Sequence, residues 1–199
     1  MTRHPRRAGY TLIEVMMSVA IMTVGAVGIM ALAQSTTRGN VTAREITTAT
    51  QISRTWLERL RRDAVNWTQP GQPLTPPTVY LSNTPVAATG MGNWFAPVPP
   101  PASGESSAFG YLGADTTAAA NMYFCTNVRL GWSINQQAIR ADVRTWWHRT
   151  DANAARNLFA NCNGGPGGEG AISAELTSPA PRLRAVYAST LIRRSRLPQ

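Results

Sequence analysis

The chain has 199 residues, 43% of them hydrophobic and 15% charged, which is enough apolar material for about one folded domain and excludes general disorder. All 19 basic residues are arginine, against 10 acidic ones, for a formal net charge of +9; with no lysine, Schiff-base and P-loop lysine chemistry are excluded. Two histidines (His4, His148) and two cysteines (Cys125, Cys162) stand at spacings that no familiar zinc motif uses, so neither a metal site nor a cofactor is expected.

The amino-terminal residues 1–9, MTRHPRRAG, carry Arg3, Arg6 and Arg7 and no acid. Residues 10–33, YTLIEVMMSVAIMTVGAVGIMALA, then hold a single charge, Glu14. As a helix, the uncharged part from Val15 to Ala33 spans about 28 Å, close to a bilayer's hydrocarbon thickness. Basic residues ahead of the apolar run predict a cytoplasmic amino terminus, with the rest exported. The run is longer than a signal peptide's apolar core, and Gln34-Ser35-Thr36 can continue a helix, so the segment is expected to be retained. A carboxylate at the edge of such a helix costs a few kcal/mol unless it is paired or interfacial.

Gly9-Tyr10-Thr11-Leu12-Ile13-Glu14-Val15-Met16 resembles the type III signal of type IV prepilins and pseudopilins: a short basic leader ending in glycine, an aromatic residue, then Thr-Leu-Ile-Glu. The resemblance implies that prepilin peptidase cuts between Gly9 and Tyr10 and methylates the new amino group of Tyr10. It further implies that Glu14 pairs with the positive amino terminus of a neighbouring subunit, an attraction strengthened inside a low-dielectric helical bundle. Tyr10 departs from the commoner phenylalanine; both are aromatic, so processing is expected to survive. Gly25 and Gly28, with Ala20, Ala26, Ala31 and Ala33, either permit close helix packing or reflect the frequency of glycine in membrane helices.

Beyond the anchor, Ile46, Ala49, Ile52, Trp56, Leu60 and Ala64 recur every three or four residues, as the apolar face of an amphipathic helix does. Arg54 with Glu58 and Arg59 with Asp63 are spaced for i,i+4 pairs, and Arg54, Arg59, Arg61 and Arg62 read as a solvated surface. No proline occurs between Pro5 and Pro70, so one helix of about 80 Å can run from Thr11 to Asn66, weakest at Gly39-Asn40. Pro70, Pro73, Pro76 and Pro77 open an irregular section, with a short strand expected at Thr78 to Ser82 and with Trp94, Phe95, Phe109 and Tyr111 pinning the loop to the head. Alternation over Met122 to Ile134 and over Ile139 to Trp147 predicts a hairpin through Asn135-Gln136-Gln137. A third strand, Leu183 to Arg193, follows a Gly-rich stretch, Asn163 to Gly170.

The expected fold is therefore α+β and resembles a type IV pilin: a long amino-terminal helix whose second half packs on a small antiparallel sheet, burying Trp56 and Leu60. Its parts are a leader (1–9), a transmembrane and assembly helix (10–33), an amphipathic continuation (34–66) and an exported head (67–199). In an oxidising compartment Cys125 and Cys162 form a disulfide by default. No catalytic residue is assigned, since nothing joins a nucleophile to a base.

Residues 20–34 look like the anchor of PilV-type minor pilins, which implies a structural subunit of a type IV pilus acting in a priming or tip complex, in motility and adhesion. The partners so implied are prepilin peptidase, other minor and major pilins, a PilY-type tip adhesin and, before assembly, the inner membrane, with the filament at the cell surface afterwards. A minor pseudopilin of a type II secretion system is the alternative within the family. A DNA-binding pilin is the alternative of another class. From Trp67 onward ten arginines face six acids, and Arg193, Arg194 and Arg196 cluster, but no aromatic-basic reader motif is present, which argues against nucleic acid.

Overall fold

A computed structural model describes residues 9–67, 78–83, 85–100, 103–133, 137–149, 162 and 168–193. In chain order the elements are α1 (Leu12–Ala64), α2 (Tyr80–Asn83), β1 (Val86–Ala87), β2 (Ala108–Phe109), β3 (Phe124–Ser133), β4 (Ala138–His148), α3 (Glu169–Leu176) and β5 (Leu183–Arg193). The architecture is α+β, with the long helix packed on a small mixed sheet. Helix α1 runs unbroken through Gly39-Asn40 for 53 residues. It unwinds at Val65 to Trp67, whose amides donate to the carbonyls of Arg62, Asp63 and Ala64 at 3.0–3.2 Å, while Arg61 and Arg62 lie at the negative end of the helix dipole.

Two compact units divide the chain, Met1–Glu45 and Ile46–Gln199. In the first, the large apolar side chains of α1 from Leu12 to Leu32 are exposed on every side. In the second, Ala49, Ile52, Trp56, Leu60 and Ala64 are buried, and they share one core with Val128, Leu130, Ile139, Ala141 and Val143 of the sheet. The predicted apolar face is therefore the packed one from Ala49 onward, while Ile46, expected on it, is exposed. Ser53 Oγ lies 2.8 Å from Thr145 Oγ1, a hydroxyl bridge within this core that leaves neither group unsatisfied.

Strand order is β1-β3-β4-β5, with β2 paired to the start of β3. The antiparallel ladders match Phe124 to Trp147 and Ser133 to Ala138 between β3 and β4, then His148 to Leu183 and Ala138 to Arg193 between β4 and β5. The sheet is mixed rather than wholly antiparallel, because β1 joins the far end of β3 in parallel, Val86 opposite Leu130. The loop after β1 stays on β3: Gly92 N–H donates to Leu130 O at 3.0 Å, and Phe95 and Val128 exchange two bonds of 2.8 Å. That approach is so close that a Cβ at Gly131 would collide with the Gly90 carbonyl.

Three local expectations are corrected. Thr78 to Ser82 is not a strand: the Asp63 carboxylate accepts from the amides of Val79 (2.7 Å) and Leu81 (2.8 Å), winding a helical turn, α2. Asp63 therefore does not pair with Arg59, and Glu58 takes Arg61 at 2.6 Å. Arg59 is buried rather than solvated. The second face of the sheet is itself covered in part, by a helix that the sequence reading does not anticipate. Helix α3 begins where the Gly-rich stretch ends, and Ile172 joins Ala108, Cys125, Trp146, Cys162 and Leu183 in a second core. The predicted hairpin connection lies outside the described residues except for Gln137.

Cys125 and Cys162 are disulfide-bonded inside this second core, with Cα atoms 5.2 Å apart. At the end of α3, Glu175 accepts from Arg182 Nη2 and from the Arg182 backbone amide, both at 2.8 Å, and these bonds hold its carboxyl down at about 2. Burial, by contrast, pushes the Asp63 carboxyl up, opposed by its two backbone amides.

Trp56→Ala should cost about 3–5 kcal/mol of stability by emptying the centre of the main core, measured by chemical denaturation of the detergent-solubilised chain. Reduction of the disulfide should lower stability by at most about 4 kcal/mol, the loop-entropy value for its ring, and non-reducing digestion should recover one Cys125–Cys162 peptide pair. Because the folded Glu175 carboxyl lies below its ordinary 4.5, its contribution is present above that value and lost as pH falls toward about 2. Glu175→Gln should therefore flatten the loss of stability across this acid range, read as denaturation midpoints at stepped pH.

Candidate processing and assembly site

The start of α1 is built as a reciprocal cap. Thr11 Oγ1 accepts from the Glu14 amide at 3.4 Å, and Glu14 Oε2 accepts from the Thr11 amide at 2.9 Å and from the Thr11 hydroxyl at 3.0 Å. This is a capping box, in which a threonine and a glutamate three residues on satisfy each other's orphan amides. The Thr-x-x-Glu spacing was visible in the sequence, yet the structural duty of Thr11 was missed because the same letters read as a processing signal. Glu14 thus has work within its own chain, anchoring the first turn beside the positive pole of the helix.

Gly9 and Tyr10 precede the helix, with Tyr10 90% exposed and no atom within 4 Å of the place a Gly9 Cβ would occupy. The junction predicted from the sequence is therefore exposed and lies just ahead of the turn that holds Glu14. Downstream, the hydroxyls of Ser18 and Thr23 donate to the carbonyls of Glu14 (2.7 Å) and Ala20 (2.8 Å), and those of Thr36 and Thr37 reach back one turn in the same way. The few polar side chains of the apolar stretch are thus satisfied by their own helix, as a hydrocarbon surrounding requires. The helix is long and apolar enough to cross a membrane. Positions 25 and 28 leave open space where a Cβ would stand, so another helix could approach closely there.

Among the described residues from Arg59 onward, most arginines have internal partners. The Arg59 guanidinium holds both oxygens of Asp115 at 2.8 and 3.0 Å, lies 3.4 Å from Glu105, and stacks 4.9 Å from the Trp56 ring. Glu105 also accepts from Arg62 at 2.9 Å and from the Tyr80 hydroxyl. Arg129 and Arg140 share the Asp142 carboxylate. Arg144 is 1% exposed, donating to Asn127 Oδ1 (3.0 Å) and Ser173 Oγ (2.7 Å), and burial pulls its guanidinium down to about 10, leaving it charged at neutral pH. Arg129 and Arg144 flank the Trp94 ring at 4.5 and 4.6 Å, which pins that loop as expected, though through cations that sequence periodicity does not reveal. The carboxy-terminal arginine cluster lies outside the described residues except for Arg193.

Among the described residues no group of three His, Cys, Asp or Glu side chains is placed to hold a metal ion. No curated protein and no solved structure matches the chain. A family model described as the prokaryotic N-terminal methylation motif matches residues 4–30, which encloses the Gly9-Tyr10 junction, the Thr11–Glu14 cap and most of the apolar run. That motif supports a type IV pilin or pseudopilin, and implies processing by prepilin peptidase and assembly with other pilins.

Proposed function

We propose that this protein is a minor pilin of a type IV pilus: held in the inner membrane by the first part of α1 with its amino terminus cytoplasmic, cut after Gly9, methylated on Tyr10, and incorporated into the complex that initiates or tips the filament. Other minor and major pilins and a PilY-type adhesin are its proposed partners, and its role is structural rather than catalytic. One observation carries the reading. The methylation motif opens a 53-residue helix whose residues 12–33 are exposed and carry no charge but Glu14, and which is buried along one stripe in the Ile46–Gln199 unit. A plain membrane anchor has no need of either the motif or the continuous stem.

A type II secretion pseudopilin shares the motif, and the two readings separate by whether deletion lowers pilus number or protein secretion. Nucleic-acid binding draws little support, since Arg129, Arg140, Arg144 and Arg182 are engaged within the head.

The capping box shapes the test of Glu14. Glu14→Gln keeps a side chain able to cap Thr11 but removes the charge, whereas Glu14→Ala removes both. Both variants should insert in the membrane and lose residues 1–9, giving a mature mass that starts at methylated Tyr10. If charge-guided docking to a neighbour's amino terminus is the role, both should lower pilus number and their own content in sheared filaments. Normal filament incorporation of Glu14→Gln, with loss only in Glu14→Ala, would leave Glu14 a helix cap and reject the docking role. A mature protein that still begins at Met1 would reject the pilin reading itself.

A further inference from the structure

Toward α1 the sheet is packed, and Ile139 and Ile192, paired across β4 and β5, both lie in the main core. On the second face, α3 covers the end near Cys125 and Trp146, and the loop after β1 covers β3, with Gly90 and Met91 against Gly131. What stays open belongs to β4 and β5. The register sets Arg140 opposite Leu191 and Ala138 opposite Arg193, so all four share the second face, with Arg140 and Arg193 diagonal neighbours about 7–8 Å apart. Alternation along β5 brings Tyr187 and Ser189 to the same face. Arg140 (side chain 55% exposed), Tyr187 (59%) and Leu191 (44%) stand out to solvent. Their support is fixed: the Tyr187 ring lies 6.1 Å from the Trp94 ring, which Arg129 and the buried Arg144 hold in place.

The charges on this open face do not balance. Arg129 and Arg140 share one carboxylate, Asp142, which Arg140 reaches through Nε alone, and Arg193 has no partner among the described residues. A second copy could not supply the missing acids from its described residues. Glu58, Glu105, Asp115, Asp142 and Glu175 each already pair with an arginine of their own chain. Asp63 and Glu169 are buried and accept backbone amides, Glu45 is buried, and Glu14 caps its own helix. We propose that this open face of β4 and β5 docks a different protein, at a place on its surface where two carboxylates flank an apolar side chain. The carboxylates meet the guanidiniums of Arg140 and Arg193, whose forked donors suit them. The apolar side chain seats on Leu191 and Tyr187. A nucleic acid needs a track of cations along its phosphates, whereas two arginines beside a leucine and a braced tyrosine have the make-up of a protein-binding hot spot.

The probe is a fluorescent heptapeptide with glutamate, leucine and glutamate at its centre and glycine and serine on both sides, set against the same peptide with glutamines for the glutamates. Full-length protein in non-ionic detergent micelles should bind the glutamate peptide, more weakly as salt rises, and the glutamine peptide about fivefold less tightly, from the loss of two exposed ion pairs. Arg140→Gln combined with Arg193→Gln should abolish that preference at an unchanged denaturation midpoint. Arg193→Gln alone, which breaks no side-chain contact among the described residues, should reduce it even if the double variant is unstable. Leu191→Ser should weaken both peptides alike. Equal binding of the two peptides, no binding, or a preference that survives both arginine substitutions would overturn the proposal. Tighter binding of a thymidine dodecamer, lost in the double variant, would reassign the face to nucleic acid. Self-association that the double variant loses would make a second copy the occupant and reject the different protein.

Discussion

Ala49, Ile52, Trp56, Leu60 and Ala64 form one stripe of α1, and the main core of the Ile46–Gln199 unit is arranged around the burial of that stripe on β3 and β4. A helix with such a stripe and a sheet with an apolar face each leave greasy surface in water, and the two cancel by packing together. The stripe also fixes the rotation of the helix. Ser53 is thereby aimed at Thr145, Arg59 at the loop holding Glu105 and Asp115, and Asp63 at the amides of Val79 and Leu81. The polar contacts are consequences of the apolar one, since each requires the stripe to be in place before its partners come within reach.

The charged residues follow a similar logic. Composition marks the chain as strongly basic, with 19 arginines, yet several of them serve as internal clamps. Arg59 fastens the loop holding Asp115 to α1, Arg144 ties β4 to α3 through Ser173, and Arg129 and Arg144 both lie against the Trp94 ring. Guanidinium suits these positions because it is planar, holds several acceptors at once and stacks on indole. A lysine at Arg144 could not span Asn127, Ser173 and the Glu169 carbonyl together.

In the amino-terminal segment the same few residues serve two kinds of requirement. Thr11 and Glu14 close the first turn of the helix, while the surrounding letters constitute a methylation motif. The structural use gives Glu14 a partner within its chain, which lessens the cost of a carboxylate at the edge of an apolar run. Any docking role for that charge would have to compete with the cap.

Much of this was legible in the letters because local physics is written there. The uncharged run from Val15 to Ala33 can only be a span or a buried helix, the three-and-four spacing from Ala49 to Ala64 marks a packed face, and the limits of β5 are those expected of the third strand, Leu183 to Arg193. Two cysteines in a segment expected to be exported likewise announced their bond. What the letters withheld was every feature whose cause lies far along the chain. Thr78 to Ser82 has strand-like residues, but a carboxylate 16 residues away caps its amides and turns it into α2. Glu169 to Leu176 sits behind glycines, and it is helical where Ile172 finds Trp146 and the disulfide to pack on. The parallel entry of β1 and the inward turn of Arg59 belong to the same class. Periodicity reports which face of an element is apolar; only the assembled fold decides what meets it, because desolvation and pairing depend on neighbours that sequence distance does not measure.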